Sequence, residues 1–310
     1  MKRVVAVKPW HSPNAPMHEM SVFAAWQNLG GRVCVHKKPP RVFDGILYRY
    51  LLPTISINND EARLKFLSGQ AVKYLSFPDY IHYEIIPIFW DSWPRYQADI
   101  KLFLKTKHIN TAFFTSSQVA KKMSDDFPQM NIQYISEGVD VNLYNKGLEL
   151  HNRSIDILEY GRMRNQLHLH FPPTVNHIYS KDGKKLYITN KEFIDALCDT
   201  KITLCFPRSV THPELTGGIE TLTQRYWENM LCRVVMVGYS PKELINILGY
   251  DPVLPIDYDY PEEQIMHILS HIDNYQPLVD KNRQYALERG NWTSRVSTMM
   301  ESLKGIGYEI

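Results

Sequence analysis

Cysteine is scarce in this 310-residue chain, which has only Cys34, Cys198, Cys205 and Cys232. None forms a CxxC pair or a zinc-ligand spacing, which excludes zinc-ribbon and thioredoxin-type chemistry. Cys205 and Cys232 lie in apolar runs and read as small buried hydrophobes. Long apolar runs are missing too, since no stretch nears the roughly 20 residues that cross a bilayer. The opening MKRVVAVKPWHSP has a short apolar run that suits a first strand and not a signal peptide. The expectation is therefore a cytoplasmic protein, and the sequons at Asn152 and Asn291 are chance matches. Charge of one sign is lacking: 35 basic against 33 acidic residues leave a net +2, too little to make nucleic acid the main partner. No GxGxxG follows the first strand of either half, which counts against a dinucleotide-dependent oxidoreductase. Short-period repeats and low-complexity segments are also absent.

What is present is alternation. In the second half, apolar runs at Ile155–Tyr160, Lys185–Thr189, Ile202–Phe206, Val234–Val237 and Pro252–Ile256 are interleaved with helical patterns. Those patterns cover Lys191–Asp199, Thr221–Leu231, Pro241–Leu248 and Pro261–Ile272. Continuous apolar strands separated by amphipathic helices predict a parallel sheet covered on both faces. The first half is similar in kind. It begins with VVAV, followed by a helix over Met17–Leu29 with Val22, Trp26 and Leu29 on one face. Strands are expected at Gly45–Tyr48, Val72–Ser76, Ile85–Phe89, Thr111–Thr115 and Ile132–Ser136. The chain exceeds what one core usually organises, and the polar run Glu137–Gly147 supplies a linker. The expected division is 1–145, 146–285, and a helical tail 286–310 packing back on the first part.

Two loops after second-half strands suit a ligand: Tyr160–Arg164, and Pro207–Glu220, which ends in Gly217 and Gly218. Paired glycines let backbone approach a ligand, and a following helix start favours an anion. Thr221 and Thr223 add hydroxyls. Glu220 and Glu228 are two-oxygen acceptors suited to paired sugar or ribose hydroxyls. Equally, Glu220 serves the helix dipole and Glu228 an ion pair with Arg225. Asp91 follows IIPIFW and either orients an acceptor hydroxyl or caps a turn before Pro94. The aromatics Trp90–Tyr96 either stack on a sugar or pack in a core. His11 and His18 lie near the first strand end as surface or ligand-facing groups. His168, His170 and His177 lack carboxylate or cysteine neighbours at metal-ligand spacing.

The segment Glu220-x7-Glu228 with Asn229 and Met230, followed by RVVMVG at Arg233–Gly238, resembles the E-x7-E region of retaining GT-B glycosyltransferases of the family 4 type. IDILEYGR at Ile155–Arg162 is similar to that group's strand ending in Gly-Arg. Thr115–Ser117 with ISEGVD at Ile135–Asp140 resembles the run closing its N-terminal domain, and NWTSR at Asn291–Arg295 its terminal helix. The resemblance covers Thr111 to Arg295 in the family's order. It implies an α/β GT-B fold, two Rossmann-like doubly wound domains with a cleft between them. The first domain would face the acceptor and the second the nucleotide sugar.

Carried over, Arg162 would neutralise the diphosphate, Glu220 hold a donor-sugar hydroxyl and Glu228 the ribose. The backbone from Gly218 to Thr223 would cradle the phosphates. Gly161, Arg164, Gly217, Thr221, Thr223 and Arg225 would line the donor side, with Arg225 either a phosphate ligand or a structural partner. The implied reaction is front-face displacement with retention, without essential metal or cofactor beyond the donor substrate. The implied acceptor is a glycan or lipid-linked glycan in surface polysaccharide synthesis, and peripheral contact at the inner face of the membrane is permitted. The pattern has departures. Asn165 and Gln166 follow Arg164 where a lysine is usual, Pro9–Pro16 replaces a glycine-rich loop, Glu220–Thr223 (ETLT) has lost its glycines, and Cys232 precedes Arg233 where glycine is usual. A non-catalytic nucleotide-sugar-binding protein and a Rossmann oxidoreductase stay open as alternatives.

Overall fold

The computed structural model describes residues 1–8, 17–35, 60–69, 72, 79–161, 167, 169–180 and 186–310. Its contacts divide into two units. Unit 1 holds Met1–Glu137, Glu214–Thr221 and Trp292–Ile310; unit 2 holds Gly138–Pro213 and Leu222–Asn291. In unit 1 the first strands are β1 (Lys2–Lys8), β2 (Arg32–Val35), β3 (Glu61–Ser68), β4 (Glu84–Trp90), β5 (Thr111–Phe114) and β6 (Asn131–Tyr134). Unit 2 contributes β7 (Ile155–Leu158), β8 (His177–Ile178), β9 (Thr200–Cys205), β10 (Val235–Gly238) and β11 (Leu254–Pro255). β12 (Tyr308–Glu309) returns to unit 1.

Among the described residues every strand pair is parallel. The unit 1 sheet runs β12-β1-β3-β4-β5-β6, with β2 also on β1, and the unit 2 sheet runs β11-β10-β9-β7-β8. β1 carries β12 beside Lys2 and Arg3 and β2 beside Val5–Lys8. Parallel sheets bury both faces, and the apolar runs satisfy that demand.

One face of the unit 1 sheet is covered by the helices Met17–Asn28 and Trp292–Gly305. They pack Val22, Trp26, Trp292, Val296, Met299 and Leu303 on Val4, Ala6, Leu64 and Ile86. The expected Leu29 falls beyond the helix end and is exposed. The other face takes Ile100 and Phe103 of Pro94–Thr106, and Val119 and Met123 of Ser117–Asp126, against Phe89 and Phe114. Each large side chain buried this way contributes about 1.5–3 kcal/mol.

Unit 2 packs Leu150, Ile157, Leu204, Val235, Val237 and Ile265 into one core. Two buried arginines clasp the loop that enters it. Arg153 donates to the carbonyls of Lys146, Leu148 and Thr200. Arg233 donates to those of Lys146, Gly147 and Leu148 and pairs with Glu149 and Asp280.

Two departures from the sequence pattern have physical causes. The run expected as a strand at Lys185–Thr189 forms none over 186–189. Its last residue caps the helix Asn190–Cys198 instead: the Thr189 hydroxyl accepts from the Glu192 N–H, and the Glu192 side chain accepts from the Thr189 N–H. β3 was hidden by Glu61, Arg63 and Lys65, which look like a solvated face. Lys65 is in fact buried and paired with Asp79 at 2.6 Å. Lys185, the strand expected at Gly45–Tyr48 and positions 73–76 lie outside the described residues.

Candidate functional site

Past its carboxyl end, β7 continues through Glu159, Tyr160 and Gly161. Glu159 is buried with its Oε1 2.8 Å from Nε2 of His177, whose ring stacks on Tyr179. His170 instead lies exposed beside Glu262, and His168 is outside the described residues. The Tyr160 ring sits 4.9 Å from that of Phe193. Gly161 has φ +88°, and a Cβ there would lie 2.0 Å from Nη2 of Arg225. Arg225 is the second residue of the helix Gln224–Leu231, and its guanidinium lies 5.1 Å from the centroid of the Tyr160 ring. Glycine at 161 suits the left-handed backbone, and a side chain there would displace the Arg225 guanidinium.

Three residues further along that helix, Glu228 is only 9% exposed. Arg225 does not pair with it, so the expected i, i+3 ion pair is not formed. Instead Glu228 Oε1 accepts from the Tyr144 hydroxyl at 3.0 Å, and Oε2 from the Tyr160 hydroxyl at 3.5 Å. Burial pushes the Glu228 carboxyl above the usual range, against the pull of Tyr144, Arg225 and Tyr160. Burial, with the Glu228 charge, also raises both phenols, which therefore stay protonated donors.

The helix begins at Gln224, not at Thr221 as its pattern suggested. Tertiary contacts override the local tendency. The Leu222 side chain is fully buried and its N–H donates to Glu243 Oε2 at 3.1 Å. Thr221 is buried, and Thr223 is the N-cap residue with no side-chain cap bond. In the run Gly218–Thr223 several backbone donors have protein acceptors. Its Ile219 N–H goes to the Thr216 carbonyl, and its Glu220 N–H goes to Gln118 Oε1 at 2.8 Å. The Glu220 carbonyl accepts from Ser116 at 3.1 Å. Glu220, Gly217 and Gly218 thus belong with unit 1, while Arg225 and Glu228 belong with unit 2.

In unit 1, Asp91 follows β4 at φ +50°, a left-handed conformation that Asp tolerates better than most residues. Its carbonyl accepts from the Trp93 N–H at 2.9 Å, closing the turn into the helix Pro94–Thr106. That turn adjoins the glycine loop: a Cβ on Gly217 would lie 2.9 Å from Cγ of Pro94. Trp93 is buried and Trp90 stacks on Phe66, so both serve the core.

No protein-family model matches the chain, and no curated protein does. Solved structures do match in architecture. HepE of Anabaena in complex with UDP and glucose superposes with TM-score 0.65 at 11% identity, covering 98% of this chain and 100% of that one. The fold is GT-B. AviGT4, a glycosyltransferase involved in avilamycin A biosynthesis, gives TM-score 0.58 at 13% identity over 99% and 98% of the two chains. The E. coli trehalose-6-phosphate protein bound with UDP-2-fluoro glucose gives 0.60 at 8% identity over 98% and 99%. Likeness at such identity carries the GT-B fold and not an activity.

On this GT-B frame, the structure brings Gly161, Arg225 and Glu228 together in unit 2. In unit 1 it sets Gly217 against the turn that contains Asp91. Arg162, Arg164, His11 and the His18 side chain lie outside the described residues. Sequence reasoning missed Tyr144 and left Tyr160 without a role. Tyr144 falls in the segment expected as a linker, where nothing in the local pattern marks a buried hydroxyl. Among the described residues, no helix is long and apolar enough to cross a membrane.

Proposed function

We propose that the chain is a retaining glycosyltransferase of the family 4 type. It moves a sugar from a nucleotide-diphosphate donor to a glycan or lipid-linked acceptor in surface polysaccharide synthesis. One observation carries this: a buried carboxylate, Glu228, and a guanidinium, Arg225, share a helix at the Gly161 strand end of a GT-B fold. A carboxylate accepts from paired ribose hydroxyls, and a cation beside it meets a diphosphate. HepE and the E. coli protein, which share the fold, were solved with UDP and glucose and with UDP-2-fluoro glucose.

In this proposal Arg225, with Arg162 and Arg164, stabilises the charge that develops on the departing diphosphate. Glu220 takes a donor-sugar hydroxyl, Gly217 and Gly218 with Thr221 and Thr223 admit the phosphates, and Asp91 orients the acceptor hydroxyl. The displacement is front-face and needs no metal. A thermal-shift screen of UDP-, GDP- and dTDP-sugars followed by turnover assays tests it. At least one nucleotide diphosphate is expected to raise the Tm, less so in Arg225→Ala. Glu220→Ala should abolish turnover at unchanged Tm. Turnover should survive EDTA and give a product of retained anomeric configuration. Stabilisation by nucleotide with no donor ever consumed would make the chain a binding protein instead.

A further inference from the structure

We infer that Tyr144 is a positioning residue for this site: its hydroxyl, together with that of Tyr160, fixes the Glu228 carboxylate so that it accepts the ribose hydroxyls of the donor. The inference rests on the nucleotide-sugar function proposed above.

Glu228 lies in a helix with six consecutive buried residues, Tyr226–Leu231, and among the described residues no cation forms an ion pair with it. A buried carboxylate needs donors, and here both are phenols from other segments. Tyr160 comes from the end of β7, and Tyr144 from the chain just after the short turn Val141–Leu143. Tyr144 is 4% exposed, so its hydroxyl cannot turn to water. Phenylalanine would fill the same space, so packing alone does not call for the oxygen. The position of Tyr144 is itself fixed, because Arg153 and Arg233 clasp the loop that follows it. An ionised carboxylate has about four acceptor positions. Tyr144 takes one on Oε1, and Tyr160, whose hydroxyl lies equally near the Arg225 carbonyl, takes one on Oε2, leaving one on each for a ligand diol.

The groups around Glu228 define the expected pH behaviour. Tyr144, Tyr160 and Arg225 favour its ionised form, and burial opposes it. The Cys205 and Cys232 thiols, both raised by burial, and Asp140 beside Tyr144 complete the surroundings. The carboxylate accepts a diol only when ionised, so nucleotide affinity falls as pH drops through the Glu228 pKa. Removing a donor to the charged form moves that fall to higher pH.

The test is the pH dependence of UDP and GDP binding to the full chain, as the ratio of variant to wild-type Kd, which cancels titration of the nucleotide. For Tyr144→Phe the ratio should reach about tenfold on the acid side of the Glu228 titration, the size of a lost hydrogen bond to a charged group, and shrink as pH rises. Tyr160→Phe should show the same trend more weakly and carries the test if Tyr144→Phe does not fold. In Glu228→Gln the pH-dependent fall should vanish. A ratio near one, or a loss equal at every pH, overturns the positioning role and makes Tyr144 a packing residue. Wild-type protein that binds none of UDP, GDP and dTDP overturns the nucleotide function and this role with it.

Discussion

Replacing Gly161 by alanine separates the two reasons for a glycine at that position. The first is conformational: φ is +88°, and an L-residue held in the left-handed region costs about 1–2 kcal/mol. For a domain of this size that lowers Tm by roughly 2–4 °C per kcal/mol. The second is steric. The new methyl would stand 2.0 Å from Nη2 of Arg225, the far end of a flexible side chain, so the guanidinium moves and the strand end stays. In the proposed donor site, displacing the Arg225 cation from the diphosphate forfeits a charge-assisted contact of about 1.5–3 kcal/mol, or ten- to hundredfold in affinity. Thermal unfolding reads the first term and calorimetric titration with UDP or GDP the second, across Gly161→Ala, Arg225→Ala and the double variant. The double variant should bind no more weakly than Arg225→Ala, because the alanine acts through the arginine. Wild-type affinity in Gly161→Ala, or losses that add in the double variant, would refute the reasoning.

Two predictions concern stability. Glu84 accepts from Lys2 Nζ at 2.8 Å, Tyr308 at 2.6 Å and Asn110 at 3.2 Å. Burial raises its carboxyl, but these donors outweigh burial and hold it below the usual range. A depressed folded pKa adds stability above the unfolded value of about 4.3 that is lost as pH falls through the folded one. The gap in urea midpoint between wild type and Glu84→Gln should therefore be full at pH 7 and close in stronger acid. A constant gap down to pH 2 would show that the carboxylate charge is irrelevant. Arg233→Ala takes the guanidinium from the Gly147 carbonyl and one of two arginine donors from each of the Lys146 and Leu148 carbonyls, and should cost about 3 kcal/mol in chemical denaturation. Arg233→Lys should recover little, lacking the planar fork, and full recovery would mean that charge alone mattered.

Much of the fold was legible because parallel strands are continuous apolar runs whose helices show their period. ITLCF, VVMV and the tail from Gln276, with its break at Gly290 and Asn291, all have counterparts in the structure. Tertiary chemistry hid the rest. Lys65 reads as solvent-facing until its partner Asp79 is seen, and Thr189 reads as strand until its capping role is seen. At the site, the sequence marked Gly161, Arg225 and Glu228. It could not show that Glu228 bonds two tyrosines rather than Arg225, because Tyr144 is 84 residues away. Nor could it show that Gly217 and Glu220 share contacts with unit 1, which Ser116, Gln118 and Pro94 decide.

The helix Trp292–Gly305 and β12 finish the sheet that β1 begins, with Lys2 beside Tyr308. Order of synthesis thus runs against order in space. All of unit 2 has been made before the Trp292–Gly305 part of the cover over Val4, Ala6 and Leu64 exists, so until then Met17–Asn28 covers that face alone. During that interval unit 2 can close its own core while the unit 1 sheet keeps part of one apolar face in water. Unit 1 is therefore completed after unit 2, although most of its strands are made before it.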